Sequence, residues 1–153
     1  MAQELKMRLH NPQAIERRLL QNGAKLISQT FFVDTYFKQP HGKVLKIVEK
    51  NTGASVNIFH AVDGKFDVVK DEKISNPEEL KKQYTSEYGV KRIMKGTRKF
   101  FQFQSYQITF NLINNVGDFL IVTGENPTTE FVEKQLGIKK PEYIRVSFDE
   151  VKS

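Results

Sequence analysis

Glu4, Lys6 and Arg8 are the first residues in the chain whose types and spacing could do chemistry. They alternate with Leu5, Met7 and Leu9, the period-two pattern of a strand with one buried face. Two arrangements produce that pattern. The charged face can lie on an outer surface in water, or it can point into the lumen of a closed sheet and meet a polyanion. A second segment repeats the arrangement: in Lys43–Glu49, Leu45 and Ile47 oppose Lys46 and Val48. Lys95 and Arg98 add two bases on a later extended segment. Being three apart, they share a face only if a bulge intervenes. Arg suits bidentate recognition of phosphate, and Lys supplies a point charge.

Composition narrows the chemistry. With no Cys, there is no disulfide, thiolate nucleophile or Cys-based zinc site. His10, His41 and His60 lack metal-ligand spacing, and neither a phosphate-binding glycine loop nor a nucleophile elbow is present. Ser55 and Ser105 have no evident base. A net charge of +6 favours anionic partners such as phosphates, nucleotides or nucleic acid. No run is long enough to span a membrane, and the charged N-terminus lacks an apolar signal core, so the expectation is a cytoplasmic protein with no membrane partner.

The elements that must carry these side chains can be read in order. Asn11-Pro12 opens a helix with Ile15, Leu19 and Leu20 on its stripe, closed by Gly23. Lys25–Phe37 reads as extended. Turns at Pro40-His41-Gly42, Asn51-Thr52-Gly53 and Asp63-Gly64 separate further strands, the last of them Phe66–Val69. Asn76-Pro77-Glu78-Glu79 caps a second helix bearing Leu80, Tyr84 and Tyr88. Extended segments follow at Val90–Phe103, Tyr106–Leu112 and Phe119–Val122. A third helix begins at Asn126-Pro127, carries Val132 and Leu136, and ends at Gly137; Pro141–Phe148 is a closing extended piece. Residues 8–37 and 73–103 share an order of Asn-Pro, helix, Gly and aromatic-rich strand, which suggests two similar halves or simply shared helix punctuation. Many strands with three separated helices and no linker predict one α+β domain over residues 1–153.

The motifs in this order resemble the CYTH family: class IV adenylyl cyclases, thiamine triphosphatases and other triphosphate tunnel proteins. The family's opening Glu-x-Glu-x-Lys aligns with Ala2, Glu4 and Lys6, followed by Arg8. Its Leu-Gly-Ala aligns with Asn22-Gly23-Ala24, and its Gln-x-Asp-x-Tyr-Phe with Gln29 and Asp34-Thr35-Tyr36-Phe37. Leu45-Lys46-Ile47-Val48-Glu49 stands where the family has Leu-Arg-Ile-Arg-Glu. Lys95 and Arg98 match a later basic pair, and Asn111, Ile113, Val116-Gly117, Phe119-Leu120, Ile121 and Thr123 match the late motif. The resemblance implies an eight-stranded antiparallel tunnel-like β-barrel with about three helices outside. It also implies triphosphate binding by Lys6, Arg8, Lys46, Lys95 and Arg98. Asp34 and Glu49 could partner these bases.

The departures fall on the family's metal ligands. Ala2, Ile121 and Thr123 replace glutamates and Asn111 replaces an aspartate, leaving Glu4 as the one recognisable ligand. The expectation is weak binding of Mg²⁺ or Mn²⁺, completed by substrate phosphates, and no other cofactor. Val48 replaces an arginine, and His60 stands near another usual base. Three functions follow in order of preference. The first is a divergent domain binding a triphosphate, nucleotide or other small polyanion, with catalysis reduced or lost. The second is an active metal-dependent triphosphatase or adenylyl cyclase. The third is a nucleic-acid binder using the basic and aromatic residues between Lys91 and Tyr106.

Overall fold

The computed structural model describes residues 2–152. Eight antiparallel strands close into a barrel: β1 (Ala2–Arg8), β2 (Lys25–Phe37), β3 (Lys43–Lys50), β4 (Gly53–Val62), β5 (Lys65–Ile74), β6 (Val90–Phe103), β7 (Tyr106–Ile113) and β8 (Gly117–Glu125). Around the barrel they run β1-β5-β4-β3-β2-β6-β7-β8, and β8 pairs back to β1. Exchanging β1–β4 with β5–β8 leaves this circular order unchanged. The two halves suggested by residues 8–37 and 73–103 are therefore related in topology. The paired phenylalanines are not equivalent: Phe32 and Phe100 lie on the lumen side, whereas Phe31 is exposed and Phe101 is buried outside.

The outer face holds the fold together. Leu5, Met7 and Leu9 point outward from the first strand and its end. They join Leu19 of α1 (Pro12–Gln21) and Phe131, Val132 and Leu136 of the α3 region (α3, Thr129–Gln135). Leu45 and Ile47 point outward under α2 (Pro77–Glu87), where Leu80 and Tyr84 pack on Phe37. Burying each large apolar side chain contributes about 1.5–3 kcal/mol, so these two layers fix which face of β1 and β3 looks into the lumen.

The helix starts follow local chemistry. The Asn11 and Asn76 side chains accept from the Ala14 and Glu79 N–H groups. The third helix begins later than Asn126-Pro127: Thr128 is its cap, accepting from the Phe131 N–H, while Asn126 adopts a left-handed turn. β5 runs on past Val69 to Ile74, held by pairing with β4 despite its polar sequence. The closing segment makes one bridge, Tyr143 with Met7, and then a 3-10 turn at Phe148–Glu150.

Candidate functional site

Period-two geometry sends Glu4 and Lys6 of β1, Lys46 and Lys50 of β3, and Arg98 of β6 into the barrel. One end is closed. Phe148 packs on Phe119 with ring centroids 5.0 Å apart, and Phe32, Tyr36, Phe59, Phe66 and Met94 fill the space around them. Lys91 anchors this plug by ion pairs to Asp149 at 2.8 Å and Glu150 at 2.9 Å, and the Arg92 guanidinium donates to the Asp149 and Val151 carbonyls. The other end opens to a cavity of about 620 Å³.

A charged hub built on Asp34 forms one wall of the lumen. Arg98 donates through Nη1 to Oδ1 at 3.0 Å and through Nη2 to Oδ2 at 2.6 Å; Lys46 Nζ donates to Oδ2 at 3.1 Å. Arg98 Nε donates to Asn111 Oδ1 at 2.6 Å, and the guanidinium lies 3.8 Å from the Phe32 ring centroid. Burial alone would push the Asp34 carboxyl up. The charges and hydrogen bonds of Arg98 and Lys46 outweigh burial and hold it below the ordinary carboxylate range. Tyr36 is driven well above its usual value by burial and by the Asp34 charge. Lys50 sits nearer the mouth, over Phe100 at 5.1 Å, its ammonium lowered by burial and then by the Arg98 charge.

Lys6 lies below the cavity. Its Nζ is 4.0 Å from the Phe66 centroid and 4.4 Å from that of Phe148, and among the described residues it has no ion pair. Burial lowers its pKa to about 8, with Glu4 opposing the shift and Lys46 adding to it.

Four of the expected phosphate ligands thus have inward parity, with different surroundings. Lys46 and Arg98 line the cavity, whereas Lys6 is buried against Phe66 and Phe148 and is not part of the cavity lining. Arg8 sits at the plugged end, paired with Glu142 at 2.9 Å and stacked near Phe119. It does not converge with Lys6 and Lys46. Lys95 is on the outer face and exposed, because β6 runs from Lys95 to Arg98 without a bulge against either neighbour. Glu49 also faces outward and pairs with Lys81. The sequence reading passed over Lys50, although the alternation Lys46, Val48, Lys50 was available to find it.

The implied divalent metal does not fit the residues present as a protein-held ion. Glu4 pairs across the sheet with Thr123, and Ile121 lies one inward position along. Among the described residues, no three His, Cys, Asp or Glu side chains come together. Mg²⁺ and Mn²⁺ require more hard oxygen ligands than this wall offers.

A closed eight-stranded antiparallel barrel with helices outside is the architecture that the resemblance to CYTH proteins implies, and solved structures share this fold. The PH1012 protein of Pyrococcus horikoshii OT3 superposes with a TM-score of 0.87 at 21% identity over 100% of both chains. A candidate adenylate cyclase of Vibrio parahaemolyticus gives 0.76 at 16% identity, covering 97% of this chain and 95% of its own. A candidate adenylyl cyclase of Hippeastrum with a dominant triphosphatase activity gives 0.62 at 16%, covering 96% and 92%. No family model and no curated protein sequence matches the chain.

Proposed function

We propose that this chain is a divergent CYTH-type domain that binds a triphosphate, a nucleotide or another small polyanion in its tunnel, with metal-dependent catalysis reduced or lost. The observation that carries this reading is the convergence of Lys46, Lys50 and Arg98 on one cavity whose lining carboxylates, Glu4 and Asp71, belong to no cluster of three metal-ligating side chains among the described residues. Charge-assisted hydrogen bonds from these bases would hold phosphate oxygens. Any Mg²⁺ or Mn²⁺ would arrive with the phosphates and gain Glu4 as its protein ligand. Without a firmly held metal, little remains to stabilise charge developing at phosphorus, and binding alone does not accelerate the reaction.

Isothermal titration with tripolyphosphate and with ATP tests the reading. Binding should weaken with added salt and be reduced by Lys50→Gln, while Lys95→Gln on the outer face leaves it unchanged. Absence of binding at low salt by these two and by phosphate monoesters refutes the proposal. Robust Mg²⁺- or Mn²⁺-dependent turnover, abolished by Glu4→Ala, establishes the enzyme instead; the triphosphatase activity of the Hippeastrum neighbour makes that the second reading. The nucleic-acid reading loses its surface. Phe101 and Phe103 are buried beneath helices, Phe100 faces the lumen, and Lys99 is paired with Glu16 at 2.8 Å. No helix is long and apolar enough to cross a membrane.

A further inference from the structure

We infer that the tunnel's preferred ligand is a phosphomonoester of a neutral, hydroxyl- or amide-bearing body, in the class of sugar phosphates and nucleoside monophosphates, bound without a metal. This rests on the phosphate-binding reading above and narrows it. Three features of the cavity agree.

The first is charge. Lys6, Lys46, Lys50 and Arg98 are opposed by Glu4, Asp34 and Asp71, a surplus of one positive charge. A phosphomonoester carries about −1.5 to −2 at neutral pH, and a triphosphate roughly twice that. Charge left unpaired in a partly buried site is costly. The second is donor capacity. Asp34 and Asn111 already take three N–H bonds of Arg98, and Asp34 takes one of Lys46. About two donors remain on each, enough with Lys50 for one phosphate group.

The third is the rest of the wall. Toward the mouth it is lined by neutral groups, including Gln107, Thr109, Thr123, Ser28 and Ser55. Among the described residues no hydrogen bond uses the side chain of any of these five, although the Thr109 carbonyl accepts from the Asn111 side-chain amide. They offer donors and acceptors to hydroxyls or amides and no charge to further phosphates. Glu4 and Asp71 also line the cavity, and both would repel additional phosphates extending that way. The volume of about 620 Å³ exceeds what a lone phosphate needs and suits a small organic ligand.

The experiment is isothermal titration of the whole chain in EDTA at low salt. The probes are ribose 5-phosphate, adenosine 5′-monophosphate, inorganic phosphate, tripolyphosphate and ATP. At least one organic monoester should bind tenfold or more tightly than tripolyphosphate, ATP and inorganic phosphate, and Mg²⁺ in place of EDTA should not tighten it. Ribose 5-phosphate and the nucleotide separate a sugar-only body from one bearing a base. Gln107→Leu with Thr109→Val should weaken the organic monoester about fivefold or more while leaving inorganic phosphate within twofold. If that pair unfolds the protein, Thr123→Val near the mouth carries the same comparison. Tripolyphosphate or ATP binding as tightly as every monoester, or a Mg²⁺ requirement, overturns the inference and leaves phosphate binding standing. No binding by any probe overturns both.

Discussion

Replacing Lys6 with Met should stabilise the protein at neutral pH. Lys6 is 4% exposed and has no ion pair among the described residues. Its pKa falls from 10.5 to about 8 through burial. Between those values the unfolded chain keeps a proton that the folded chain has released, so stability rises with pH across that window. Below pH 8 the buried ammonium costs the folded state its full penalty, about 3 kcal/mol for a gap of this size. Contacts with Phe66 and Phe148 offset roughly 0.5–2 kcal/mol of it. Met is unbranched, apolar and close in length, and it makes favourable contacts of its own with aromatic rings. The expected gain is therefore about 1–3 kcal/mol at pH 7, or roughly 3–10 °C in Tm for a domain of this size. Urea denaturation of both proteins at pH 7, 8, 9 and 10 gives the assay. The advantage of the variant should be constant below pH 8 and fade toward pH 10, and taking the difference cancels the other lysines. A variant less stable than the parent at pH 7, or an advantage that does not change between pH 8 and 10, refutes the reasoning. A buried cation kept at such a cost points to function rather than stability, so the same variant should also bind phosphate less well.

Other changes have definite outcomes. Asp34→Asn leaves Arg98 and Lys46 buried without their counter-ion and should destabilise by about 3–5 kcal/mol at pH 7. Because the Asp34 pKa is depressed, its contribution is present above the ordinary value of 3.8 and is lost as pH falls through the lower folded value, which acid denaturation against the variant would show. Gly96→Ala places a Cβ against the Leu112 carbonyl oxygen and 3.0 Å from Phe32, so thermal unfolding should report a loss of about 1–3 kcal/mol. Ala2→Glu with Ile121→Glu and Thr123→Glu surrounds Glu4 with carboxylates. Titration with Mn²⁺ should reveal binding absent from the parent, together with lower stability in EDTA from carboxylate repulsion.

The outer faces of β1 and β3 were legible in the sequence because helix packing imposes period two there. Leu5, Met7, Leu45 and Ile47 showed which face was buried, and parity alone then turned Lys6 and Lys46 inward. Parity also argued against Lys95 sharing a face with Arg98, and the unbulged strand bears that out. The lower part of β5 was missed because Lys70–Lys73 has no apolar alternation; its order comes from backbone pairing with β4. Arg8 could not be judged locally. Its isolation depends on a plug supplied by Phe148 and on Glu142, both more than 130 residues away in sequence. The link from Asp34 to Arg98 spans 64 residues and likewise leaves no local trace.

That link also bears on how the fold persists where the family's metal ligands do not. Two of the apolar layers lie outside the lumen, under α1, α2 and α3, and contain no lumen charge. Changes at Ala2, Ile121 and Thr123 therefore leave those layers intact. What a basic lumen does require is compensation when empty, since Lys46 and Arg98 lie close together in a low-dielectric wall. Asp34 supplies it within the protein, with Asn111 and the Phe32 ring completing the surroundings of the guanidinium. A lumen partly neutralised from within relies less on a metal or a ligand to offset its bases. It also presents a weaker field to an incoming polyanion than the same bases would if free. The residue that makes the empty tunnel tolerable thereby limits how much negative charge it can accept, and this is why the proposed ligand is less charged than a triphosphate.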